Sequence, residues 1–243
     1  MSHTEFSDIY DQLEWADRQI DIISHEISAF LKTNPYKITR EPYSNGTHDA
    51  FYIEMTSSLP RSLTPAVASA VQSQRSALDY LAVALANRNR PGCGNDAAFP
   101  FAISEDEFSK KHILKKISKL SPDDQERIKA LKPYKGGNDY LFALHWLNIE
   151  AKHRRLNAVA SDPKLAAIGG RGRFYGIAAF RPSIGANERA LVAITQKETD
   201  CQFQFLIDVA FCEIAGEKPA VALVPFLHAF GNLTRRVVSM FER

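Results

Sequence analysis

Apolar positions recur at helical spacing over most of the first 160 residues and at strand spacing over much of the remainder. Across residues 4–32, Phe6, Ile9, Leu13, Ile20, Ile23, Ile27 and Phe30 share one stripe, while Glu14, Arg18, Asp21 and His25 line another face. That pattern predicts an amphipathic helix, stopped by Asn34-Pro35. Residues 36–40 and 50–55 are short strand candidates around Tyr43-Ser44-Asn45-Gly46-Thr47, a hairpin pattern. Thr64-Pro65 reads as an N-cap with proline at the first helical position. The helix it opens runs to about residue 87, with Val67, Val71, Gln74, Leu78, Leu81 and Leu85 on one stripe. Phe99-Pro100-Phe101 reads as an extended anchor into the core, and Ser104-x-x-Glu107 as a capping box for a helix over 105–117. Ser121-Pro122 starts a short helix ending near residue 131.

The stretch 138–159 is the centre of the pattern. Apolar residues at 141, 144, 147, 151 and 159, and again at 142, 146, 149 and 156, leave little of its girth for water. A helix of that kind is central, and Leu144, Asn148 and Ala151 are expected to be inaccessible. Beyond Asp162-Pro163 the texture changes: 173–181, 188–195 and 201–213 are strand candidates expected to pair as consecutive antiparallel neighbours. Gly169-Gly170-Arg171-Gly172 reads as a flexible turn, and 221–241 as a closing helix with Arg235-Arg236 exposed. The class expected is α+β: a helical bundle core over 4–160 with a hairpin near 36–55, then a small antiparallel β-meander and a C-terminal helix over 163–243, packed as one unit.

Composition narrows the function classes. A net charge of +2 over 243 residues gives no global pull toward nucleic acid or membrane. Three cysteines, Cys93, Cys201 and Cys212, have no metal-like spacing and suit a reducing compartment. With no signal-peptide layout and no membrane-length apolar run, the expectation is a cytoplasmic protein. No HExxH, paired Cys-x-x-Cys, P-loop or nucleophile elbow occurs, so neither metal nor cofactor is called for.

The segments RSALDYLAVALA, FPF, LKPYKGGNDYL and LHWLNIEAKHRRL together resemble a bacterial family of uncharacterised proteins. Its members read roughly L-R-x-A-L-D-x-L-A, F-P-I, L-x-P-Y-K-G-G and L-x-x-L-N-x-x-D-K-H-R. The resemblance spans residues 67–156 and implies no activity. Where that family has Asp before Lys-His-Arg, this chain has Ala151, with Glu150 one position earlier. A looser similarity is to helical HEPN-type domains, many of them RNases of toxin and phage-defence systems. Their signature is Arg, four to six residues, then His; Arg18 and His25 match it here.

Charged residues inside apolar helices form the candidate constellation. His145, Asn148 and Lys152 lie on one line of the central helix, His153 about 100° round from it, and Arg75 and Asp79 share a face of the preceding long helix. Asp79, His145, Lys152 and His153 are therefore candidate catalytic residues, with Asp79 expected within salt-bridge reach of Lys152 or His153. Such a set could do acid–base work, or lock two helices in register. Lys110, Lys111, Lys115, Lys116 and Lys119 form the most basic local patch. The leading expectation is a binding or interaction protein of stress or phage-defence biology. The alternative is a metal-independent HEPN-like RNase. RNA, a protein or a second copy of the chain stay open as partners; a membrane does not.

Overall fold

The computed structural model describes residues 5–153, 158–171, 174–177, 183–184, 189–197, 200–211 and 222–242, with side chains described over 5–151, 189–191, 193–197 and 222–242. The fold is α+β, with a β-hairpin between the first two long helices, further antiparallel strands after the helical region, and a C-terminal helix. Contacts divide the chain into two units, each discontinuous in sequence: 1–22, 65–155 and 224–243 in one, 23–64 and 156–223 in the other. The hairpin thus belongs with the later strands, and the closing helix with the early helices.

In the first unit, α1 (Ser7–Lys32) buries Ile9, Leu13, Ala16 and Ile20, a spacing alternating between three and four that keeps one narrow seam inward. Helix α2 (Leu63–Asn89) starts one residue before the expected cap, so Pro65 falls in the first turn, where its missing N–H is not needed. Alanines at 70, 77, 82 and 86, all buried, give α2 a small-residue surface for close packing. After α2, Gly94 N donates to Asn87 Oδ1 at 2.9 Å, which folds the loop back along the helix it has just left. A Cβ on Gly94 would meet Val83 Cγ1 at 2.8 Å, so the close approach needs glycine.

The region 105–117 is not one helix. It forms single turns α3 (Glu105–Phe108) and α4 (Lys111–Leu114), then a 3₁₀ turn at Lys115–Ile117. The Ser104 cap is present, its Oγ accepting from Glu107 N at 3.2 Å. The buried residues Phe108 and Ile113 are five apart, about 140° round a continuous helix. Breaking the helix at Lys110, which is extended, lets both face inward. Helix α5 (Pro122–Ala130) starts as expected, with Ser121 Oγ accepting from Asp124 N and Pro122 in the first turn.

Helix α6 (Asp139–His153) is shorter than the pattern suggests, because Val159 pairs with Ala210 in a strand. Leu144 and Asn148 are buried as expected; Ala151 is only half-buried, and Tyr140 and Trp146 are exposed. Helix α7 (Leu223–Ser239) buries Leu227, Phe230, Thr234 and Val238. Gln74 Nε2 of α2 donates to Leu227 O at 2.9 Å, alongside Gly231, where a Cβ would crowd that amide. The arginine pair is not uniformly exposed: Arg235 is bound by Asp17 of α1, and Arg236 faces solvent.

In the second unit, β1 (Tyr36–Tyr43) and β2 (His48–Met55) form the expected hairpin, with Ser44, Asn45 and Gly46 all at positive φ in its loop. β2 also pairs with β6 (Arg189–Gln196), and β6 with β4 (Phe174–Ile177), giving the order β1-β2-β6-β4. Phe30, Phe51, Ile53, Met55, Ala190 and Ala193 form this unit's apolar cluster.

The expected meander holds only for its first pair. β7 (Asp200–Phe211) pairs with β3 (Ala158–Arg171) in a second sheet of order β5-β3-β7, where β5 is Ser183–Ile184. Asp162-Pro163 lies inside β3, at a register shift between Ser161 and Lys164 where proline's missing N–H is tolerated. Gly169 and Gly170 are strand residues paired with Gln202 and Cys201, and the expectation of a turn there is corrected.

Candidate functional site

The sequence motifs converge on one place in the first unit. From α2, Arg75 and Asp79 lie one turn apart, and their side chains form an ion pair with Nη1 to Oδ2 at 2.7 Å. The Arg75 side chain is 9% exposed and that of Asp79 38%, so the cation is enclosed and the carboxylate reaches water. Nη1 has the distance of an ion pair without hydrogen-bond alignment, so its compensation there is mainly Coulombic. The guanidinium also lies over the Phe101 ring at 4.3 Å, a cation–π contact in a desolvated setting.

Asp79 does a second task. Its Oδ1 accepts from Phe99 N at 2.9 Å, which ties the start of Phe99-Pro100-Phe101 to α2. Phe99 and Phe101 are buried and in tilted contact at 5.0 Å. From α6, His145 stacks on Phe101 with centroids 4.5 Å apart and planes within 4°. Arg75 Nε donates to His145 Nδ1 at 3.3 Å, which makes that nitrogen the acceptor of the contact. The loop before α6 joins the same assembly: Ala102 N donates to Pro133 O, and Tyr134 is buried against Phe108 with its hydroxyl on Glu105. Burial and the Glu105 carboxylate raise the Tyr134 phenol above its usual range.

Lys116 stands beside this group. Burial, then repulsion from Arg75, lowers its ammonium below the ordinary lysine range, and the Asp79 carboxylate works against both. The basic patch is otherwise partly neutralised, since Lys110 pairs with Glu107 and Lys119 with Asp96.

Of the four candidate catalytic residues, the structure brings Asp79 and His145 to a common partner, Arg75. The side chains of Lys152 and His153 lie outside the described residues, and so does their expected pairing with Asp79. Asn148 is buried, and its Oδ1 has no hydrogen-bond partner among the described residues. The HEPN-signature residues are both exposed on α1, with Arg18 3.7 Å from Glu14. Among the described residues no group of His, Cys, Asp and Glu could hold a metal ion, and no helix is long and apolar enough to cross a membrane.

The chain matches no protein-family model, no curated protein and no solved structure.

A cleft of about 440 Å³ lies elsewhere in this unit, lined by Asn138 and Tyr140 at the start of α6 and by Ala229, Asn232, Leu233 and Arg236 of α7. The α7 residues fall at i, i+3, i+4 and i+7, one face of the helix. A second, shallower cleft of about 440 Å³ adjoins it, sharing Asn138 and Tyr140 and adding Lys132 and Asp139. Neither is lined by a histidine, cysteine, serine or threonine. Sequence patterning missed these residues, because an exposed polar or aromatic side chain at a helix surface breaks no rule.

Proposed function

We propose that this chain is a binding or interaction protein of the cytoplasm, and that Arg75, Asp79 and His145 form a structural lock joining α2, the Phe99–Phe101 segment and α6. One observation carries the reading: the two described candidates for acid–base chemistry, Asp79 and His145, are engaged within the protein. Both Asp79 oxygens have internal partners, and His145 Nδ1 accepts from a buried guanidinium. A general base needs a free lone pair facing a substrate proton. Among the described residues, side chains placed to meet a ligand line the α6–α7 cleft, which carries no imidazole or thiol.

The test is direct. Purified protein incubated with single-stranded and structured RNA should leave both intact, and its expression should be harmless. Strand cleavage lost in His145→Ala or His25→Ala would overturn the reading in favour of a metal-independent, HEPN-like RNase.

A further inference from the structure

We infer that the α6–α7 cleft binds a nucleoside 5′-monophosphate, with its base on Tyr140 and its phosphate on Arg236. This deepens the binding-protein reading and rests on it. Four features carry the inference. Tyr140 is 57% exposed, yet its ring is backed by Phe226 at 6.4 Å, which in turn packs on Phe230 at 4.4 Å. An exposed ring in tilted contact with a buried aromatic neighbour can stack a flat aromatic ligand. Arg236 faces solvent at the same cleft, and its guanidinium has no hydrogen-bond or ion-pair partner among the described residues. Its planar fork suits a phosphate bidentately.

The amide of Asn232 is likewise unengaged among the described residues, and Asn138 uses its Oδ1 to cap Leu141 N at 3.1 Å while its Nδ2 stays available. A carboxamide offers both donor and acceptor, the pattern that reads the edge of a base. Leu233 and Ala229 supply an apolar floor. The volume of about 440 Å³ is in the range of small-ligand sites. Charge sets the polarity. Asp139 lines only the adjoining cleft, where it accepts from Gly136 N, so the phosphate belongs at the Arg236 end and ribose hydroxyls toward Asp139. Lys132, the other cation, sits on that same side as Asp139.

The experiment is calorimetric titration of the full chain with adenosine, guanosine, cytidine and uridine 5′-monophosphates, with adenosine and inorganic phosphate alone as references. At least one monophosphate should bind, and should bind at least 10-fold tighter than either reference. Tyr140→Ala and Arg236→Gln should each weaken it about 10-fold or more, and Tyr140→Phe should bind nearly as wild type. Both positions are exposed, so unfolding midpoints should not move. Absence of binding by all four monophosphates at about 10 mM, or equal affinity in the two variants, overturns the inference. Neither outcome touches the binding-protein reading, which fails only if RNA is cleaved.

Discussion

Asp79→Ala is the sharpest probe of the lock. It removes the only carboxylate seen paired with a guanidinium that is nine-tenths enclosed, and it also takes away the acceptor for Phe99 N. Breaking a buried pair from one side costs about 3–5 kcal/mol, because the remaining charge is left uncompensated. Asp79 is 38% exposed, so water can enter where the carboxylate was, and the charge term falls toward about 2 kcal/mol. An unsatisfied Phe99 N–H adds about 1–3 kcal/mol, less if the same water reaches it. The expected loss is about 3 kcal/mol. Asp79→Asn keeps an acceptor for Phe99 and should lose only about half as much. Arg75→Met removes the charge but can still lie on Phe101, so the double variant Arg75→Met/Asp79→Ala should lose about 1–3 kcal/mol less than the sum of the singles. Urea unfolding followed by tryptophan fluorescence is the assay, because both tryptophans, Trp15 and Trp146, belong to the first unit. With a slope of about 1–3 kcal/mol/M, the Asp79→Ala midpoint should fall by roughly 1–3 M. A loss under about 0.5 kcal/mol, with strict additivity in the double, would refute the lock.

Gly137→Ala should destabilise the first unit by more than about 2 kcal/mol in thermal unfolding, because a Cβ there would sit 2.5 Å from Lys132 O, a backbone atom that cannot give way. Ser121→Ala should cost about 1 kcal/mol, since its Oγ caps α5 through Asp124 N, and a midpoint shift in urea would register it. Tyr10 donates to the Glu242 carboxylate, which pushes its phenol up to about 12 from 10.0. A raised folded value favours the protonated form, so the stability it contributes is full below pH 10 and lost as pH rises through about 12. Phenolate absorbance should show a step near pH 12 that Tyr10→Phe removes.

Local rules were legible wherever one rule acted alone. The seam of α1, the Ser-Asn-Gly hairpin loop, the Ser-Pro start of α5 and the apolar stripe of α7 follow from spacing and turn chemistry, and the structure places them accordingly. The misreadings share a cause: tertiary pairing overrode a local pattern. Residues 105–117 carry a good cap and good helix formers, but Phe108 and Ile113 can both be buried only if the helix breaks. Leu156 and Val159 continue the α6 period, yet Val159 pairs with β7. Pairing itself was the least legible property. β4 and β6 pair across a short stretch of chain, whereas β7 joins a strand some 40 residues earlier, a partner that no local signal names.

The candidate site was half legible, for a physical reason. A charge inside an apolar helix stands out, so Arg75, Asp79 and His145 were visible in the sequence; what they meet was not. Asp79 reaches a backbone N–H of a loop 20 residues on, and His145 meets the ring of Phe101 and the guanidinium of Arg75. Conspicuous polar residues in a core are conspicuous because burial forces a specific partner on each of them, and a group with a fixed internal partner is poorly placed to meet a substrate. The residues that can meet one obey the opposite logic. Tyr140, Asn232 and Arg236 are exposed, so folding places little demand on them and the pattern carries no trace of their use. If the chain binds a ligand at the α6–α7 cleft, its function lies in positions that stability ignores. Substitutions there should then alter affinity while leaving the unfolding midpoint unmoved, the reverse of what Asp79→Ala should do.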